Sequence, residues 1–224
     1  MVQAGNQRYL KEADFPQIVP VFPLTGALLL PGGRMPLNIF EPRYLAMIDD
    51  AIGGTRLIGM IQPSLDGATG EDGEPRLSAV GCLGRVTSFG ETGDGRYLIA
   101  LLGVCRFRVL EEVSRRTPYR QCRIAPFITD LDETARGAEI DRPALLKAFK
   151  AYLAANDLEA DWESVSRAEN ASLVNALSMM APYGAAEKQA LLEAPDLKTR
   201  AETLIAITEM ALARDGDDTG TVLQ

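Results

Sequence analysis

The chain has no histidine, which removes the commonest general base near neutral pH together with the commonest zinc ligand. Ser-His-Asp and Cys-His catalytic arrangements are excluded with it. Cysteine is scarce. Cys82, Cys105 and Cys122 are widely spaced, odd in number, and form no C-x-x-C pair that would chelate zinc or shuttle a disulfide. Each stands in an alternating apolar pattern, which predicts reduced thiols in a core. Lysine is also thin: the five are Lys11, Lys147, Lys150, Lys188 and Lys198, none after a glycine. No G-x-x-x-x-G-K-[ST] occurs, and Gly93-x-Gly95 lacks the third glycine of a dinucleotide fingerprint. No cofactor is therefore expected.

Long apolar runs are missing too. The longest, Ala27 to Leu30 and Leu98 to Leu102, fall far short of the roughly 20 residues a membrane helix needs. The first fifteen residues mix Gln3, Asn6, Arg8, Lys11, Glu12 and Asp14 with few apolar groups, unlike a signal peptide. These features predict a cytoplasmic protein with no membrane association. At 224 residues and 46% hydrophobic composition it has material for a real core. The net charge of −8 is uneven: residues 1–128 sum to +1 and residues 129–224 to −9. Such a break suggests two differently built parts, neither basic enough to grip phosphate backbones without sequence readout.

Up to about residue 128 the pattern is β with one helix. Ile18 to Phe22 and Leu57 to Ile61 are short apolar runs, and Val80, Cys82 and Val86 alternate with Leu83, Arg85 and Thr87. Asp94-Gly95 supplies a hairpin turn into Tyr97 to Leu102. Past a bulge at Gly103, Cys105, Phe107 and Val109 are expected on one face with Arg106 and Arg108 on the other. Cys122 and Ile124 against Gln121 and Arg123 give a further strand, and the set predicts a small barrel. Glu41-Pro42 starts the one early helix, because proline suits the first helical position, and Gly53-Gly54 ends it. Tyr44, Leu45 and Ile48 then face the core. Pro63 to Arg76, poor in bulky apolar groups, reads as a long mobile loop.

From about Ala138 the period becomes helical. Leu145, Leu146, Phe149 and Leu153 form one stripe, and Asp161 is placed to cap a second helix through Leu173, Leu177 and Met180. Pro182 and Gly184 end it. Ala185 to Ala194 is a short helix, Pro195-Asp196 breaks and recaps the chain, and Leu197 to Arg214 is the last, before a frayed tail from Asp215 to Gln224.

Two acidic stretches fail as calcium loops, and no metal site is expected: Ala68 and Gly70 stand where ligands are needed within Asp66 to Glu71, and Asp215, Asp217 and Gly220 lack the later glutamate. The densest basic stretch holds Arg106, Arg108, Arg115, Arg116, Arg120 and Arg123. As an RNA surface it would need stacking aromatics on the same face, and Phe107 points the other way. Pairing with nearby carboxylates is the simpler expectation.

One segment stands out: Pro20-Val21-Phe22-Pro23-Leu24, then Leu29-Leu30-Pro31-Gly32, then Pro36-Leu37-Asn38-Ile39-Phe40-Glu41-Pro42-Arg43-Tyr44. It resembles the N-terminal, substrate-binding domain of the ATP-dependent Lon protease. The likeness continues through Ile58-Gly59, Val80-Gly81, Asp94-Gly95-Arg96-Tyr97, and Gly103 to Phe107 with Arg106, and returns at Glu187-Lys188-Gln189-x-Leu191-Leu192-Glu193 and Arg200. The resemblance implies an α+β fold, a PUA-like β barrel over residues 1–128 followed by an α-helical bundle over 129–224, together one domain. It also implies a non-catalytic module, an adaptor for unfolded or damaged polypeptide without that protease's ATPase or Ser-Lys peptidase, with a Lon-type protease system as a candidate partner. RNA binding, known for other PUA-like barrels, is the alternative, and the acidic balance opposes it.

The motif residues Pro23, Leu24, Pro36, Leu37, Phe40, Glu41, Pro42, Arg43 and Tyr44 have two readings, building the fold or contacting peptide. The prolines would rigidify a crossing segment, Phe40 and Tyr44 would be core, and Glu41 would cap the helix or pair with Arg43. On the core reading Phe40→Ala costs roughly 3–5 kcal/mol. An apolar cleft is expected where barrel and helices meet.

Overall fold

The computed structural model describes residues 1–70, 73–113, 116–132 and 139–219, with side chains as far as Arg214. Glu71, Arg115, Ala138 and Gly220, which figure in the expectations from sequence, lie outside the described residues.

The β part is a nearly closed ring. Six strands, β3 (Ile18–Pro23), β4 (Arg34–Ile39), β5 (Leu57–Ile61), β6 (Val80–Glu91), β7 (Tyr97–Glu112) and β8 (Gln121–Pro126), lie in the order β4-β7-β6-β5-β3-β8, and β7 also pairs with β8. The long β7 makes this possible: residues 97–102 pair with β4, and residues 107–112 reach β8. Between those segments Leu83 faces Cys105 and Gly84 faces Gly103, so Val104 is the extra residue of a bulge beside the expected glycine. The β6–β7 turn carries Gly93 and Gly95 at φ 81° and 85°, a backbone conformation that glycine adopts without a Cβ penalty. Strand β3 runs parallel to β5, and that parallel link requires a crossover, made by β4 and helix α1 (Pro42–Gly53).

Two cores share the strands. In β5, Leu57 and Ile61 pack inside the ring with Val19, Val21, Leu83 and Phe107, while Ile58 and Met60 face α1 and the C-terminal helices. A strand buried on both faces needs an unbroken apolar run, which is how L-I-G-M-I reads. Phe107 fills the ring centre against Gly59 and Gly81, where a Cβ would stand 2.8 and 2.5 Å from its ring. The same dual burial corrects one expectation: Arg106 is not on a solvated face but buried under the helices, whereas Arg108 is exposed.

The first residues contribute more than their composition suggests. Strands β1 (Val2–Ala4) and β2 (Gln7–Tyr9) form a hairpin whose Val2, Ala4 and Tyr9 join the ring core, with Tyr9 stacked on Phe15 at 4.9 Å. The ring ends in a 3-10 turn, Ile128–Leu131, whose Leu131 is buried in that core. The loop after β5 is pinned at its base by a bridge from Pro63 to Leu77 and further in by one from Thr69 to Pro75.

Among the described residues five helices follow: α2 (Arg142–Ala155), α3 (Trp162–Arg167), α4 (Asn170–Met180), α5 (Ala185–Glu193) and α6 (Leu197–Thr219). Asp161 does cap a helix, accepting from Glu163 and Ser164, but that helix stops at Arg167 and α4 begins separately. Arg142 stabilises the break by donating to the carbonyls of Val165, Ser166 and Ala168, which a continuing helix would have used internally. The last helix extends to Thr219, past the expected end at Arg214.

The helices are not an independent body. Leu145, Leu173, Leu191 and Leu204 belong to the same apolar cluster as Tyr44, Ile58 and Leu101. A buried amide pair adds specificity to the contact: Gln62 donates to the Ala185 carbonyl at 3.0 Å and to Gln189 at 3.2 Å, and Gln189 donates to the Val80 carbonyl at 3.2 Å. The E-K-Q-x-L-L-E string is thus an interlock between α5 and the ring.

Candidate functional site

Two surfaces qualify: a ledge built by the P-L and I-F-E-P-R-Y segments, and a cleft between ring and helices. The ledge begins where β3 ends at Pro23. Leu24 hydrogen-bonds to the Ile61 carbonyl through its N–H and leaves its side chain 38% exposed. The chain then dives inward through Leu28, Leu29 and Leu30, and Pro31-Gly32-Gly33 returns it to the surface. There the Gly32 N–H donates to the Gly103 carbonyl at 2.8 Å and the Gly103 N–H to Gly33 at 2.9 Å. The approach is close enough that a Cβ on Gly103 would stand 2.1 Å from the Leu30 carbonyl oxygen.

Among the described residues strand β4 pairs only with β7, so it is an edge. Pro36, exposed in its middle, removes a donor, a usual way to blunt an edge against another sheet. Leu37 is half-buried and Ile39 buried, after which Phe40 turns outward. Its side chain is 61% exposed, which overturns the expectation of a core residue. Tyr44, 8% exposed, is core and meets Phe22 edge-on at 4.2 Å. Pro42 occupies the first helical position, and Glu41 makes no side-chain cap but accepts from Arg43 at 2.9 Å. Arg43 also lies 4.7 Å from the Tyr44 ring centre. Pro23, Arg43 and Tyr44 line a cleft of about 270 Å³ with Glu74, Tyr119 and Arg120. The Tyr119 hydroxyl donates to Asp50 at 2.5 Å, and this bond and burial both push its pKa up, burial the more.

The cleft between ring and helices is larger, about 920 Å³, and contains none of those nine motif residues. Most of its exposed lining is apolar, in keeping with the groove expected where ring and helices meet. Met179, Met180 and Leu197 contribute to that lining, but the floor is charged. Arg106 binds Asp130 through two nitrogens, Nε at 2.9 Å and Nη2 at 2.7 Å, and its other donors go to the carbonyls of Leu192, Ala194 and Pro195. Arg200 donates to the Leu191 carbonyl at 2.9 Å and to Asn175 at 3.1 Å, and Asn175 donates to the Pro31 carbonyl at 2.9 Å. Burial, and next the Arg106 charge, push the Arg200 pKa down to about 10. The sequence offers one signal for this floor, a lone arginine inside the apolar stretch Leu101 to Phe107. Nothing in it foretells that Arg200 closes over the same place.

The other expected chemistry is absorbed by structure. Arg120 pairs with Glu112 at 2.5 Å and Arg123 with Glu111 at 2.7 Å, which leaves less free positive charge for RNA. Cys82, Cys105 and Cys122 are free and buried. Burial raises all three thiol pKa values, that of Cys122 to about 12, so none is a thiolate at neutral pH. Among the described residues no helix is long and apolar enough to cross a membrane.

Known proteins agree with this picture. The family model described as the ATP-dependent protease La (LON) substrate-binding domain matches residues 18–209. Lon protease 2 of Myxococcus xanthus is 28% identical over 209 residues, covering 88% of this chain and 24% of that protein. The Lon protease of Parabacteroides distasonis is 31% identical over 198 residues, 84% of this chain and 23% of its own. The chain thus spans about a quarter of these relatives. Among solved structures, the Lon N-terminal domain protein from Xanthomonas campestris superposes with a TM-score of 0.61 at 25% identity, over 84% of this chain and 97% of that one. The N-terminal domain of Mycobacterium avium complex Lon protease has the same fold, with a TM-score of 0.59 at 19% identity, over 86% and 98%. The match takes up nearly the whole sequence, so these 224 residues hold no ATPase or peptidase domain. The chain belongs to the family of the Lon protease substrate-binding domain.

Proposed function

We propose that this domain binds unfolded or damaged polypeptide on the ledge around Leu24, Pro36 and Phe40, without catalysis of its own. The observation that carries this reading is the exposure of Phe40, 61% in water within a segment whose neighbours Ile39 and Tyr44 are buried. A large aromatic side chain left outside a well-packed core is available to a partner, where it offers much apolar area at little entropic cost. Leu24 adds to the same kind of surface. Because Pro36 interrupts the free edge of β4, side-chain burial rather than strand addition is the mode expected. The partners this reading implies are unfolded chains and, by the names of the relatives, a Lon-type protease system. The test is a titration of a reduced, unfolded protein into the pure domain: saturable binding supports the reading, and none at high micromolar concentration sinks it.

A further inference from the structure

The floor of the junction cleft holds two buried guanidinium groups with different fates. All five N–H donors of Arg106 are used, Nε on Asp130, Nη1 on the Leu192 and Ala194 carbonyls, and Nη2 on Asp130 and Pro195. Arg200, 5% exposed, uses two, Nε on Leu191 and Nη1 on Asn175. Its remaining three have no partner among the described residues, and Arg200 lines the cleft. Among the described residues Asp130 is the one carboxylate bonded to this pair, so two guanidinium groups share one bonded counter-ion, with Asp196 acting on Arg200 through space. Buried cations of this kind call for an anion or for water.

The first turn of α4 opens on the same space. Its N-cap residue Glu169 makes no side-chain cap, and the N–H groups of Ala171 and Ser172, which precede the first intrahelical bond, have no partner among the described residues. Both residues line the cleft, one turn from the Asn175 that touches Arg200. Guanidinium and helix N-terminus therefore offer donors to one volume.

We propose that this cleft is a binding site for a single carboxylate carried on an apolar or extended chain, held by Arg200 and the first turn of α4, with Met179 and Met180 against the attached apolar group. Met179 is half-buried and Met180 is 79% exposed, and both are adaptable enough to pack on varied side chains. The rim restricts the ligand. Exposed Asp132, Glu139, Glu169 and Asp196 outnumber Arg34 and Lys198, so a polyanion is repelled where one carboxylate, seated on the floor, is not. This site is separate from the ledge around Phe40.

The test is an NMR titration of the full chain with N-acetyl-leucine, with its neutral C-terminal amide, and with the α-amide of N-acetyl-aspartate. The arms separate a main-chain from a side-chain carboxylate. At least one acid should bind about tenfold more tightly than the neutral amide, the scale of one charge-assisted hydrogen bond. It should move the Arg200 Nε–H and Ser172 amide signals. Arg200→Gln should abolish the preference. So should Ser172→Glu, which keeps Arg200 and places an acid where the helix favours one, so that the fold is retained. Equal binding of acids and amide, tighter binding of inorganic phosphate than of either acid, or a preference that survives Ser172→Glu overturns the proposal. Phe40→Ala should leave these titrations unchanged, so failure here would not touch the reading of the ledge.

Discussion

The ledge and the packed boundary between ring and helices treat their side chains in opposite ways. At the junction, Arg106 is committed to Asp130 and three carbonyls, and Gln62 and Gln189 are committed to each other and to the backbone across the same boundary. On the ledge, Phe40 and Leu24 are committed to little. A family motif can therefore mix residues that make the domain with residues the domain merely holds up, and burial separates them. Tyr44 and Phe40, four positions apart, fall on opposite sides of that line.

The largest effect should come from breaking the junction. Asp130→Ala leaves Arg106 buried without its counter-ion and should cost roughly 3–5 kcal/mol in denaturant unfolding. A loss below about 1 kcal/mol, the range of an exposed pair, would place the Arg106–Asp130 bridge in the same class as the surface pairs. Next comes the joint between α3 and α4. Arg142→Ala removes the donor to three carbonyls at the end of α3 and should cost about 1–2 kcal/mol. If circular dichroism showed helix content rising instead, the break would be imposed by Arg142 rather than stabilised by it.

These elements also mark where sequence reading succeeds. Pro42 and Gly53-Gly54 bound α1 because proline and glycine act through their own backbone, and L-I-G-M-I declares a strand because period and length suffice. The α3–α4 break is not legible, since it depends on an arginine more than twenty positions away. The N-terminal hairpin is hidden because its three buried side chains, Val2, Ala4 and Tyr9, are too few among polar neighbours to set up a visible alternation. Arg106 reads as solvated because alternation assumes that one face of a strand meets water, and here helices cover it. Phe40 reads as core on residue type alone. Its exposure is a property of the turn into α1 and has no sequence period.

A smaller effect should separate the ring from the helices by pH. All three thiols lie in ring strands, and burial raises each above its ordinary value of 9.0. Deprotonation is then easier in the unfolded chain, so the stabilising difference is intact below about pH 9 and is lost as pH rises beyond it. Denaturation midpoints should fall between about pH 8 and pH 10.5, and an aromatic disulfide reagent at about pH 8 should label no thiol until the protein unfolds. Labelling of the native protein at the rate of a free thiol would contradict the buried ring core.

The smallest expected change in stability belongs to the most direct test. Phe40→Ala should leave the thermal midpoint within about 2 °C of the parent, as for an exposed side chain outside the core. The same variant should weaken binding of a reduced, unfolded protein by about tenfold or more, the loss of an aromatic anchor. A midpoint lowered by many degrees, or an unchanged midpoint with unchanged binding, would contradict the assignment of Phe40 to the binding surface.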